Sequence, residues 1–394
     1  MRQCDLLIFE DTPIYLSFFI FVSAQQIFFQ LKQMSIKTFT LTTFGFYLQY
    51  RMPTVECKEV RERISTIFDS STTDVLDITD SQVTITIPKP LCECKALGGR
   101  TKKCLFVHGA GQDKVSDIPL DSYEEYWGLK FTLDQLPCCK SIHYTQLDTN
   151  QNAWYSPELT QDLSNIALKV SASNNVSSNV LEGMIVYTHS MGNLMFAEAL
   201  RANRCQLGDD SKWVSIMGPM DGSKAVDDLV ERCDAPDEEA NWASKVKFNA
   251  IKMGLKKSGR CPVKPAYRAL VSSTGKYSSA NLTKSFNEIQ QVMKEQASGV
   301  LCGRTSIGIL SEDSHGLAIV SLLTGLEDES VGDGDGVQSV SSCIGDLNLR
   351  DFDDDPYSQY YLADINHYDG TMKNGEGSDI TQKPLTWLKC LFRD

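Results

Sequence analysis

The chain has 394 residues, 42% of them hydrophobic, enough to bury a full core and, at roughly 100–200 residues per domain, long enough for two domains. Its 51 acidic residues against 38 basic ones leave a net charge of −13. That excludes a general attraction for nucleic acid or for an anionic membrane surface, and no Lys/Arg-rich run offsets it.

The first apolar run, Ile14 to Ala24, has the length of a signal peptide and ends in Val22-Ser23-Ala24, a small-residue cleavage pattern. Its flank is atypical, since Arg2 is outweighed by Asp5, Glu10 and Asp11. A second candidate begins at Met34, with Lys37 ahead of the apolar stretch Phe39 to Leu48. Residues 1–53 therefore read as a leader or a mis-set start, and the chain as secreted. Gln25 and Gln26 interrupt the first run before it reaches the roughly 20 apolar residues that span a bilayer. The 13 cysteines are scattered singly or in close doublets. Loss of Cys4 with a leader leaves an even number, which suits disulfides in an oxidising compartment. The alternative is a set of buried thiols packed as small hydrophobes. Cys92 and Cys94 are one residue too close for a zinc pair, and no histidine lies near them, so no metal site is expected. Asn175-Val-Ser and Asn281-Leu-Thr are glycosylation sequons, meaningful in a secreted chain.

Beyond the leader, Gln82 to Ile87 alternates with period two and predicts a strand. Cys104 to Val107 predicts a short buried strand running into His108-Gly-Ala-Gly111, and Ser141 to Leu147 is a further β-rich piece. Leu159, Leu163, Ile166 and Leu168 recur at helical spacing and predict a helix over 159–170. Ser171 to Asn179 is a polar loop. Met184 to Tyr187 predicts another buried strand, followed by Thr188-His-Ser-Met-Gly192 and a helix over 193–202. Trp213 to Met217 predicts the next strand. Residues 223–298 turn polar, with helical stretches such as Phe286 to Glu295, and read as a cap inserted over the sheet. Strand texture returns near Val300 and helical texture over 317–323. Short apolar strands alternating with helices predict an α/β fold with a doubly wound, mostly parallel sheet and an inserted helical cap. Its core is divided into 54–222 and 299–394.

Four motifs carry chemistry. A serine on a sharp strand-to-helix turn, with small residues two places either side, is a nucleophile elbow. Ser190 has the strand before it, the helix after it and Gly192, but Thr188 stands where the first glycine is usual. His108-Gly109-Ala110-Gly111 lies upstream at the end of a strand. An oxyanion hole needs two backbone N–H groups aimed at one developing oxyanion, and Met191 and Ala110 are the candidates. His108 reads as a residue that fixes this loop. The acid is sought between elbow and base, where Asp335 lies in Asp333-Gly-Asp-Gly-Val337, with Asp333 the second choice. A calcium loop fails there because Val337 takes the place of an oxygen ligand. Of five histidines, only His315 and His367 follow the serine outside the elbow, and only His367 follows Asp335. The order Ser, Asp, His therefore selects His367 as base. His189, beside the nucleophile, reads as a packing residue.

In this order, the four motifs HGAG at 108–111, THSMG at 188–192, DGDGV at 333–337 and NHYDG at 366–370 resemble the lipase and esterase branch of the α/β-hydrolase superfamily. The Asp-Gly-Val segment is also similar to the acid loop of lecithin–cholesterol acyltransferase-type lipases. The resemblance covers residues 100–375 through these anchors. It implies an α/β-hydrolase fold, a lipid or other ester substrate, a Ser190–Asp335–His367 triad with no cofactor, and a mobile cap that touches lipid surfaces transiently. Thr188 and the polar, Cys-bearing segment 223–298 are departures, and the second leaves the substrate class open. An acyltransferase using the same triad, a peptidase and an inactive hydrolase fold used for binding stand beside the ester hydrolase as alternatives.

Overall fold

The computed structural model describes residues 39–42, 45–48, 92–113, 116–172, 178–234, 252–253, 255–257, 259–311 and 334–393. The chain divides into two units, 1–90 and 91–394. Of the first, an antiparallel strand pair is described, Phe39–Thr42 with Gly45–Leu48. The strand expected over 82–87, the helix over 317–323, His315, Asp333, Cys4, Cys57 and Asn175 lie outside the described residues.

The second unit is built on six strands: β1 (Lys102–Val107), β2 (Cys139–Tyr144), β3 (Met184–His189), β4 (Lys212–Ile216), β5 (Ala297–Gly303) and β6 (Tyr360–Ala363). They stand in the order β6-β5-β4-β3-β1-β2, and every neighbouring pair is parallel. Parallel strands need crossover connections, which cover both faces of a sheet with apolar layers. The inner strands show this residue by residue. Leu105 and Val107 of β1 and Met184 and Val186 of β3 enter the core on one face. Cys104, Phe106, Ile185 and Tyr187 enter the core on the other. Phe106 and Tyr187 stack on neighbouring strands with ring centroids 4.6 Å apart. These segments therefore read as continuous apolar runs.

Helices α1 (Pro157–Val170) and α2 (Met191–Arg201) cover the first face. Ser156 caps α1 by accepting the Leu159 N–H, and Pro157 occupies the first turn, where its missing N–H costs nothing. Residues 224–234 form α3 (Lys224–Asp234), and 280–296 form α4 (Ala280–Gln296), capped by Ser279. Within the segment read as a cap, α4 is instead a core helix. Phe286, Ile289 and Met293 fall on one stripe of it and pack into the same core as α1 and α2. The sequence around it is polar because the opposite stripe faces solvent. Val340–Ile344 (α5) packs on β5, and Pro384–Cys390 (α6) places Trp387 and Leu388 in the second core.

Ten cysteines pair as Cys92–Cys390, Cys94–Cys138, Cys104–Cys139, Cys233–Cys261 and Cys302–Cys343. Cys205 does not join them. It is a free thiol, fully buried, and burial pushes it up to about 11, so it stays protonated and packs as a small hydrophobe. Among the described residues, no helix is long and apolar enough to cross a membrane.

The strand order fixes where a site can form. The chain goes from β1 outward to β2, then returns to the opposite side of β1 for β3. In parallel α/β sheets such a reversal opens a crevice at the carboxyl ends of the strands. Here those ends carry residues 108–111 after β1 and Ser190 after β3.

Candidate active site

Ser190 follows directly on β3 and precedes the first residue of α2, with φ 54° and ψ −130°. Positive φ in a non-glycine residue is strained and persists only where its surroundings fix it. Here the Ser190 N–H donates to the Ile216 carbonyl at 3.0 Å. The Asn193 Nδ2 group donates to the carbonyls of Ser190 (3.0 Å) and Ile216 (2.9 Å). Gly192 is required by close approach, because a Cβ there would lie 2.7 Å from the His108 carbonyl oxygen. Thr188, the departure from the usual glycine, is fully buried and has its own partners. Its hydroxyl donates to Asn193 Oδ1 at 2.5 Å and accepts from Trp213 Nε1 at 2.7 Å. Thr188 thus anchors the asparagine that holds the turn.

The structure brings Ser190, His367 and Asp335 together. His367 Nε2 lies 2.9 Å from Ser190 Oγ, and His367 Nδ1 lies 2.7 Å from Asp335 Oδ2. The carboxylate can only accept, so Nδ1 carries the proton and Nε2 presents its lone pair to the serine hydroxyl. The other Asp335 oxygen accepts the N–H groups of Val337 (2.9 Å) and Gln338 (3.0 Å). The Asp335 carbonyl in turn accepts the His367 N–H at 2.9 Å. Gly303, ending β5, leaves room for this approach, since a Cβ there would lie 2.9 Å from Asp335 Cβ and 2.4 Å from the Ile365 carbonyl oxygen. His367 sits in a turn closed on itself. Asn366 Oδ1 accepts the N–H groups of Tyr368 and Asp369, and Asp369 Oδ2 accepts those of Asn366 and Ile309.

Ala110 lies in the loop after β1 and Met191 is the first residue of α2, and the two segments meet where Gly109 approaches Ser190. Met191 opens α2, where the first N–H groups have no acceptor within the helix. Ala110 follows Gly109, whose carbonyl is pinned by Thr149 Oγ1 and by His108 Nδ1, each at 2.8 Å. His108 Nε2 accepts the Leu147 N–H at 2.8 Å, which leaves Nδ1 as the donor. Burial pushes its pKa down to about 4, so the ring is neutral at ordinary pH. A trans peptide directs its N–H opposite to its C=O. Two donors on the Gly109 oxygen therefore fix the direction of the Ala110 N–H, for which no acceptor is found among the described residues.

Sequence reasoning missed three residues of this shell. Asn193 and Thr149 carry no motif, and Tyr126 lies in a polar segment with no distinguishing pattern. Tyr126 accepts the Gly109 N–H at 2.7 Å and lies 2.6 Å from His189 Nδ1, and His189 Nε2 lies 3.0 Å from the His367 carbonyl. His189 also packs edge-on against Tyr126 and Trp127. Only tertiary structure brings these groups together.

No family model matches the chain, and no curated protein matches it. Among solved structures the chain is similar to phospholipase PlaB from Legionella pneumophila, with 14% identity, a TM-score of 0.37, and coverage of 62% of this chain and 45% of that one. The same enzyme in complex with thio-NAD gives 13% identity, a TM-score of 0.35, and coverage of 62% and 44%. An N-formylmaleamic acid deformylase from Pseudomonas putida gives 11% identity, a TM-score of 0.25, and coverage of 68% and 86%. The chain spans less than half the length of the phospholipase it matches. Likeness at this level says nothing of what this chain acts on.

Proposed function

We propose that the protein is a secreted serine hydrolase that cleaves carboxylic esters, lipid-like ones above all, through an acyl-enzyme on Ser190. The observation that carries this reading is the hydrogen-bond chain from Ser190 Oγ through His367 to Asp335, set at the carboxyl edge of the sheet. His367 Nε2 takes the hydroxyl proton as Ser190 Oγ attacks the acyl carbonyl carbon. The N–H groups of Ala110 and Met191 stabilise the resulting oxyanion. Asp335 holds the imidazole in the required tautomer and stabilises the imidazolium. His367 then gives the proton to the departing alkoxide, leaving an acyl ester on Ser190. Water, deprotonated by the same nitrogen, releases the acid and restores the serine.

The lipid-like acyl group rests on the motif resemblance. Secretion rests on the leader-like run at 14–24 and on the five disulfides. A fluorophosphonate probe tests the core of the proposal. Wild-type protein should be labelled at Ser190, and Ser190→Ala and His367→Ala should not be. Absence of labelling in well-folded wild type overturns the reading and favours a binding role for the fold. A series of nitrophenyl esters of rising chain length then reads acyl preference.

A further inference from the structure

We infer that Tyr126 is a positioning residue of this site, its hydroxyl tying the oxyanion loop to the backbone of the base through His189. The inference rests on the serine-hydrolase reading above.

Its geometry has one direction only. The Gly109 N–H can only donate, so the Tyr126 oxygen accepts from it at 2.7 Å. The His367 carbonyl can only accept, so His189 Nε2 carries the ring proton and donates at 3.0 Å. His189 Nδ1 is then an acceptor, and the Tyr126 proton goes to it at 2.6 Å. The opposite tautomer would turn a lone pair toward the carbonyl oxygen and set two N–H donors against the phenol, leaving its proton without a partner. Burial, together with His367 nearby, holds His189 well below the usual histidine range, so this arrangement stays uncharged.

The relay therefore joins three loops: the one after β1 that bears Ala110, the elbow that bears Ser190, and the turn that bears His367. A Cβ at Gly109 would lie 2.7 Å from the Tyr126 oxygen and 3.0 Å from Ser190 Oγ, which places both oxygens at one wall of the crevice. Tyr126 holds the N–H side of Gly109 while Thr149 and His108 hold its C=O side. Removing the hydroxyl frees one edge of the peptide that precedes the oxyanion donor. It also releases His189 from one of its two anchors. Both effects act on geometry at the reacting atoms, where a displacement of about 1 Å can cost about 100-fold in rate.

The test is Tyr126→Phe, with active sites counted by end-point fluorophosphonate labelling so that misfolded protein is excluded. The expected result is a fall in kcat per labelled site of about 10- to 100-fold with KM within about twofold of wild type. A merely structural tyrosine would lower the number of labelled sites and leave kcat per site unchanged, and that result overturns the inference. His189→Leu, which removes the acceptor of the Tyr126 proton, carries the test should Tyr126→Phe fail to fold. At least as large a kcat loss per labelled site is expected from it, since it also removes the bond to the His367 carbonyl. Where Tyr126→Phe folds, adding it to His189→Leu causes no further loss, because groups in one relay are not additive. Fully additive losses overturn the shared relay. Failure of wild type to label at Ser190 is a separate outcome that removes the hydrolase reading and the inference together.

Discussion

Gly109 occupies a point where no side chain fits, since a Cβ there would lie 2.6 Å from Ser190 Cβ and 2.7 Å from the Tyr126 oxygen. Ser190, Asp335 and His367, which the structure joins in one hydrogen-bond chain, stand out in the sequence because each lies in a glycine-bearing turn and because few histidines compete. The order of motifs along the chain made the choice of His367, and the structure sets that ring between the other two residues. The residues around them were not legible, because a buried threonine or tyrosine acquires its partner only on folding. Thr149 is an instance: its hydroxyl donates to Gly109 and its backbone pairs with Gly111 and Gln112. Thr149→Val keeps the shape and removes one of the two donors on the Gly109 oxygen. Its expected effect is a loss of about 1 kcal/mol in stability and a fall of about 10-fold in the rate of phosphonate labelling. Unchanged labelling kinetics in the variant would show that the second donor, His108, suffices.

At the scale of elements, the strands β1, β3 and β4 and the helices α1 and α2 follow from apolar runs and helical spacing in the sequence. Other elements do not. β6 is a four-residue edge strand with alternating half-burial, set among aspartates and serines. The helix α4 hides a core stripe within a polar segment, so composition alone assigns it to a cover. The turn from β3 to α2 departs from the usual glycine pattern at Thr188, and the departure has a physical account. Thr188, Asn193 and Trp213 form a buried polar network whose amide end holds the Ser190 carbonyl. Thr188→Val leaves the Trp213 indole N–H and one Asn193 oxygen without partners, at a cost of about 2–4 kcal/mol. Chemical denaturation should read that loss as a lower midpoint with an unchanged slope. Thr188→Gly, though closer to the usual motif, should be no more stable than Thr188→Val.

At the scale of the whole molecule, the doubly wound α/β architecture was legible from the alternation of short strands and helices, because two apolar faces leave a strand no polar positions. The pairing of the cysteines was not, since sequence distance does not report proximity. Stability should depend on pH with a definite sign. His108 is buried neutral, and its pKa in the folded protein is about 4 against 6.5 for the free side chain. As pH falls below about 6.5, the unfolded chain binds a proton that the folded chain refuses until about pH 4, so stability is lost across that window. The difference amounts to roughly 3 kcal/mol for His108, and buried His189 acts in the same direction. Urea unfolding at pH 7.5 and at pH 4.5 measures it. A midpoint that does not fall at the lower pH would contradict neutral burial of these rings.

The Cys92–Cys390 bond spans a sequence separation of 298 residues. It makes the α/β unit a covalent ring whose two chain ends meet at one seam. A protease that cuts this ring once at any surface loop opens it without dividing it. Both pieces stay joined through the seam and separate only under reducing conditions, so a nicked molecule keeps its mass and the halves of its site remain within reach of each other. Residues 108–111 and Ser190 lie on one arc of that ring and the Asp335–His367 pair on another. A cut between the arcs therefore leaves Ser190 tethered to its partners by a sulfur bridge.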